Sequence, residues 1–489
     1  MMFWMASRSH ATDFSQEDRS MTTTSEPHGL TAQVAEYSRK ARFEDMPDAA
    51  VDAAKRCILD TLGCMVLGST IDSAQIMAGY VRSIEGIGQS TVIGAGFKAP
   101  AAFAALTNGT ASHADEMDAS HISWGHPASI AIGVGLSLSE AQGLGGKDFI
   151  NAATLMHDVG ARLMDAAGGR QAMLETNHTH SSVPFAIGAA AAAGNLLGLD
   201  QMQMQYALAI ASMKIFAPAA FMDERNHMTK AMTHGQSAYA GTTAALLASR
   251  GFEANERIYE AKHGLMDFWA NKKSDPSRVT AKLGEYFSIT DTGFKYYSAG
   301  YPIHAPLHGA LQILRDNSLS PDNVESVTLG MGSHSADIVD NRDNASISVQ
   351  AMVSLGMVLG RLGYDQAHDE EALKRLDVQR LRSLITIFRD PEMDARSATT
   401  RAAWVEIKTK DGQVYRAPEQ LPPGHWERGG MPWSDVEAKF AMLVEPRLGI
   451  ETSEKIIALG RRLEELRDLS ELGRLLSGPS KAPLHHSPH

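Results

Sequence analysis

The stretch "AAWVEIKTKDGQVYRAP", residues 402–418, holds two short runs of alternating apolar and polar side chains on either side of Asp411 and Gly412. A period of two turns one face of an extended strand inward and the other outward. Asp-Gly supplies the positive-φ turn that joins two such strands. The stretch therefore predicts a β-hairpin, and a purely helical protein has no place for one. "NVESVTLGM" (residues 323–331) also alternates, while "VQAMVSLGMVLGRLG" and "EEALKRLDVQRLRSLI" between the two carry helical spacing. Residues 275–420 thus read as a small α+β unit.

Outward from it, in both directions, the texture is helical. "LTAQVAEYSRKARF" opens with Thr31 as the expected N-cap, and "MPDAAVDAAKRCILDTLGCMVLG" sets Pro47 at a helix start. Runs such as "SIAIGVGLSLSEAQG", "FAIGAAAAAGNLLG" and "GQSAYAGTTAALLASRG" are rich in Ala and Gly, which let helix backbones approach closely. Helices resume after "PPGHWERGG". The fold class expected is mainly α: a large all-helical domain, built from residues 30–274 and completed by 421–476, interrupted by a smaller α+β lid domain at 275–420. The polar ends, residues 1–29 and 477–489, are expected to be disordered, and Met21 is an alternative start. "IGAGFKAP" (residues 93–100) lacks the third glycine and the following acid of a dinucleotide loop.

The 489 residues are 44% hydrophobic and 21% charged, an ordinary globular composition. Forty-five Lys and Arg against 57 Asp and Glu leave a net charge of −12 at pH 7. That argues against nucleic acid or an anionic membrane as partner, and an anionic small substrate would need a locally positive pocket. No run of 18 apolar residues occurs, so no membrane span is expected. Cys57 and Cys64 on one helix stand about 10 Å apart along its axis, too far for a disulfide. They read as buried thiols of a reducing compartment. The expected location is cytoplasmic, or mitochondrial if the first residues are a transit peptide, against which Asp13, Glu17 and Asp18 count.

Reactive side chains gather in four segments. "HADEMDASHISWGHPAS" (residues 113–129) packs three histidines and three acids together. "ETNHTHSSVP" (175–184), "DERNHMTKAMTHGQSA" (223–238) and "FKYYSAGYPIHAPLHGA" (294–310) add more histidines and lysines, each against an apolar run. His113, Glu116 and His121 are ligand types for zinc or iron, yet their spacing matches no HExxH or facial-triad pattern. No metal is expected. Histidine titrates near neutrality, a carboxylate orients it or acts as a second base, and lysine supplies a fixed cation. Together they equip a site for proton transfer beside a carboxylate, with no cofactor.

These segments, with "LTAQVAEYSRKARFEDMPDAAVDAAKRCILDTLGC", "IGAGFKAPAAFAALTNGTASHADEMD", "GHPASIAIGVGLSLSEA" and "KYYSAGYPIHAPLHGAL" in this order, resemble the MmgE/PrpD family over about residues 30–475. That family includes 2-methylcitrate dehydratases, cis-aconitate decarboxylases and iminodisuccinate epimerases. The resemblance implies a helical domain with an α+β lid, a homodimer, and no metal or organic cofactor. By position it implies Glu116, His126, His180 and His304 as catalytic residues, with His178 the alternative to His180. It implies Lys230, Ser120 and His234 as substrate-binding residues. His113, Asp115, His121, Arg225, His227 and Lys295 stand around them. Two positions depart from the family pattern: Asp118 and Ala119 stand where a pair of aspartates is usual, and Ser354 or Leu355 where a tyrosine is usual. The function implied is a cofactor-independent lyase acting on a small di- or tricarboxylic acid, cis-aconitate- or 2-methylcitrate-like, by decarboxylation or dehydration through a carbanion-like intermediate. An epimerase of a related dicarboxylate and a non-catalytic organic-acid binder are the alternatives.

Overall fold

The computed structural model describes residues 29–478, except 85, 124, 181, 214–217, 219, 221–223, 225–227 and 397–399. The segments 1–28 and 479–489, expected to be disordered, lie outside the described residues, as do Arg225 and His227. The architecture is mainly helical with one small mixed sheet.

The first helix, Leu30–Lys40, is capped by Gly29 and not by Thr31. The Thr31 hydroxyl instead donates to Glu260 Oε2 (2.7 Å), tying the helix to a distant turn. Pro47 does stand at the N-cap of Asp48–Gly68, where its fixed φ and missing N–H cost nothing. That helix is buried on nearly every side, and Cys57 and Cys64 lie in it as free buried thiols.

Small residues set how closely the central helices pack. A Cβ on Gly109 would lie 2.9 Å from the Cα of Gly235, so the helices Ala101–Ser112 and Met228–Ala248 meet backbone to backbone. Gly160 and Gly188 play the same part between Gly146–Ala166 and Ser182–Leu196. The returning helix Trp433–Leu448 packs Phe440 onto Gly63, closing the core from the C-terminal side. Its Lys439 pairs with Asp60 (2.6 Å) and donates to the Met117 carbonyl (2.7 Å). A C-terminal helix thereby anchors the loop that carries the first histidine segment.

The second core belongs to the lid. Its sheet runs Ile385–Arg389, Val324–Met331, Ala403–Thr409, Val414–Gln420, with the first pair parallel and the others antiparallel. The expected hairpin is the last pair, turning at Gly412 (φ 85°). Val327, Leu329, Val405 and Ile407 form the buried face, covered by the helices His304–Asp316 and Val349–Leu359. The strand Ile385–Arg389 was not expected; its β-branched Ile-Thr-Ile run follows the helix Leu376–Leu384 directly.

Core membership changes between Phe294 and Ala299, well beyond residue 275. Val279 and Ile289, from short 3-10 turns, still pack into the helical core. The change of texture near 275 marks the end of long helices, whereas the lid begins where side chains change cores.

Candidate active site

A cavity of about 340 Å³ lies between the helical part and the lid. The helical part contributes Glu116, Ser120, His126, His180 and Lys230 to its wall, and the lid contributes Tyr301, His334 and Arg401.

Asp118 organises the first segment. Its Oδ2 accepts from Ser129 Oγ (2.7 Å) and lies 2.9 Å from His113 Nδ1 and 3.1 Å from His126 Nδ1. Burial alone would raise this carboxyl, but the two imidazoles override it and hold Asp118 well below the usual range. His126 Nδ1 also lies 3.1 Å from the Ala119 carbonyl. Both partners of Nδ1 are acceptors only, so Nδ1 keeps its proton in either charge state. Nε2 is then the ring nitrogen that can exchange a proton.

Two helices bring the other rings together. The close approach at Gly109 and Gly235 places the His113 ring, just past one helix end, 4.1 Å from the His234 ring and 4.4 Å from that of His126. Burial pushes His113 down to about 4. His180 Nδ1 lies 3.1 Å from Ser182 Oγ, and burial, with Arg170 and Lys230 nearby, holds the ring well below its ordinary value. The Ser182 N–H donates to His180 Nδ1 (3.2 Å), so the neutral ring carries its proton on Nε2 and is a donor there. His178 caps the helix Gly169–Asn177 in left-handed conformation (φ 53°) and is exposed.

Lys230 and Lys295 both bind Glu116, one at each carboxylate oxygen, Lys295 at 2.9 Å. Burial would raise Glu116, and the two ammonium groups reverse this, holding it well below 4.5. Lys295, fully buried, stays charged because Glu116 and Asp118 outweigh its desolvation. The two-residue ribbon pairing Ser120 with Gly293 delivers Lys295 to this place.

Two sequence candidates sit elsewhere. His234 is buried behind His113 and His126, its Nδ1 3.2 Å from the Lys230 carbonyl, and it does not line the cavity. The glycine contact that follows it turns this helix face toward Ala101–Ser112. His304 is fully buried too, its Nε2 3.3 Å from the Ala299 carbonyl and its ring between Tyr297 and Tyr301. Burial, with Lys295 nearby, takes it down to about 3. The 3-10 turn Tyr301–Ile303 gives the wall position to Tyr301 and turns His304 inward. Ser120 does line the cavity. Ser354 and Leu355 are buried in the lid core, so the phenol at this site comes from Tyr301.

His121, kept outside the first choice, lines the wall with both ring nitrogens engaged, by Ser123 Oγ (2.7 Å) and the Ser288 carbonyl (2.8 Å). Arg170, Arg342, Arg401 and His334 were not foreseen at all; they stand in segments without any motif. Among the described residues, the three arginines with Lys230 and Lys295 make five basic side chains in the wall against two acids, Glu116 and Asp337. The pocket is locally positive in a chain of net charge −12.

His113, Asp118 and His126 bring ligand-type atoms within 4.8 Å of one another, a set able to hold a metal ion. In this structure both Nδ1 atoms and the Ser129 hydroxyl turn onto Asp118 Oδ2, which is how a carboxylate orients imidazoles for proton transfer.

Residues 32–277 match the MmgE/PrpD N-terminal domain, and residues 297–465 match the MmgE/PrpD C-terminal domain. The chain belongs to the MmgE/PrpD family. Among its relatives are the cis-aconitate decarboxylase of Homo sapiens, 27% identical over 464 residues (92% of this chain, 95% of the relative), and that of Mus musculus, 27% identical over 465 residues (92% and 94%). The cis-aconitate decarboxylase of Aspergillus terreus (strain NIH 2624 / FGSC A1156) is 27% identical over 485 residues (93% and 97%). Like these MmgE/PrpD relatives, the chain has a function of the lyase type.

Proposed function

We propose that this MmgE/PrpD protein decarboxylates a small unsaturated tricarboxylic acid of the cis-aconitate class, with no cofactor. The observation that carries the reading is the pairing of His126, whose Nε2 alone is available for proton exchange, with a wall of five cations around one small cavity. The names of the relatives favour decarboxylation over dehydration.

In this reading the cationic wall binds the substrate carboxylates. The bond from carbon to the departing carboxylate breaks, CO2 leaves, and its electron pair stays on the allylic framework beside another carboxylate. The cations of the wall stabilise that negative charge in a poorly solvated cavity. His126, as imidazolium, delivers the Nε2 proton to carbon, and Asp118 stabilises the charged ring until then. Water restores the proton afterwards.

The test is proton NMR in D2O on EDTA-treated protein given cis-aconitate and, separately, 2-methylcitrate. Loss of CO2 from cis-aconitate, with one deuterium on a product carbon next to a carboxylate, is expected. Water loss from 2-methylcitrate without decarboxylation of cis-aconitate would replace the reading by a hydro-lyase one. Activity that disappears with EDTA and returns with added metal would overturn the cofactor-free mechanism.

A further inference from the structure

The cationic groups of the cavity wall fall into two sets. Lys230 and Lys295 both lean on Glu116. The other acid of the wall, Asp337, is engaged by Arg389, Nη1 to Oδ1 at 2.6 Å. Arg170, Arg342 and Arg401 bring three guanidiniums to the same wall.

These arginines converge from separate elements. Arg170 opens the helix Gly169–Asn177, Arg342 follows the helix Ser333–Val339, and Arg401 precedes the strand Ala403–Thr409. Arg401 holds a left-handed backbone (φ 51°), a conformation that costs a non-glycine residue about 1 kcal/mol and concentrates at functional sites. Its Nη1 donates to Ser335 Oγ (2.9 Å), which fixes the direction of the fork. Burial, with Arg170 nearby, draws Arg401 down to about 9, so two like charges are kept close in a poorly solvated place. Clustered cations of this kind are stabilised by a bound anion, and the planar fork of arginine fits a carboxylate in bidentate fashion.

We propose that Arg170 and Arg401, with Arg342 beside them, form a carboxylate subsite separate from the Lys230–Lys295 pair, and that this subsite makes the enzyme select tricarboxylates over dicarboxylates. The inference rests on the reading of the cavity as a polycarboxylate lyase site and assigns its specificity.

The experiment is titration calorimetry of the full chain with two unreactive probes. Tricarballylate is a saturated tricarboxylate, and glutarate lacks the third carboxylate. Wild-type protein is expected to prefer tricarballylate. Arg170→Gln and Arg401→Lys are each expected to lose about tenfold to a hundredfold in affinity for tricarballylate, the worth of a charged hydrogen-bonded pair, with little change for glutarate. Equal losses for both probes, or no loss for either, would overturn the proposal. Arg170→Gln, in the first turn of a short helix at a half-buried position, decides the matter should Arg401→Lys fail to fold. Arginine-dependent binding in a protein that leaves cis-aconitate untouched would sink the decarboxylase reading and keep the subsite. Turnover with arginine-independent binding would do the reverse.

Discussion

His126 has Nδ1 committed to two acceptors in a ring that lines the cavity, and this asymmetry separates it from its neighbours. His113 and His234 are buried as packing partners, and His121 has both nitrogens engaged. Replacing His126 with Gln is expected to lower kcat by about 10²- to 10⁴-fold, the usual worth of a positioned acid or base. KM and the melting temperature should change little, because the ring is only partly buried and Pro127 still starts the helix. Steady-state kinetics with circular dichroism checks this; near-normal turnover would move the proton to His180 or Tyr301.

At the scale of elements, the site depends on two helices touching without side chains between them. A Cβ on Gly235 would come within 2.1 Å of the Leu106 carbonyl oxygen and 2.3 Å of Thr110 Oγ1. Backbone cannot yield cheaply, so Gly235→Ala is expected to destabilise the protein by about 1–3 kcal/mol in urea unfolding, as overpacking does. It should also reduce turnover, since Lys230 rides on the same helix. Gly79→Ala is the control: that helical position has open space, and the substitution should be neutral or stabilising by up to about 1 kcal/mol. Similar losses at both glycines would show that the helix crossing is not what matters.

At the scale of the whole molecule, the two cores are joined beside the cavity by a small polar cluster. Asp115, next to Glu116, pairs with His368 Nε2 of the lid (3.0 Å) and accepts from Ser298 Oγ (2.8 Å) at the crossover between cores. Burial opposes the charged form of His368, but Asp115 prevails and raises it above its ordinary value. Burial likewise opposes Asp115, and His368 and Ser298 bring it below its ordinary value. A raised histidine contributes stability that is fully present below its unfolded value, near 6.5, and is lost as pH rises through the raised one. His368 is about a third exposed, so the effect is modest. His368→Gln is expected to lower the melting temperature by about 1–2 °C at pH 6 and by less at pH 9, because the charged ring is lost as pH rises through its raised value. A loss equal at both pH values would mean that the ion pair contributes nothing.

Local sequence determined the kinds of element and their order. The Asp411 and Gly412 turn, the alternation around it and the Ala/Gly-rich helices are each properties of a few consecutive residues, so hairpin, helical core and interrupting lid were all legible. So was the concentration of histidine, acid and lysine in segments that adjoin apolar helices. Which of these side chains face the cavity was decided by tertiary structure alone. His180 lines it and His178 does not, because His178 itself ends the helix in left-handed conformation and is exposed, while His180, two residues on, is buried. Tyr301 takes the wall and His304 the interior, because one 3-10 turn precedes the lid helix. Arg170 and Arg401 stand far apart in the chain and carry no motif, and only the docking of the lid against the helical core brings them to one wall. Periodicity and turn chemistry act over a few residues, whereas the direction of a side chain depends on what packs against it, and that is set by contacts from the rest of the chain.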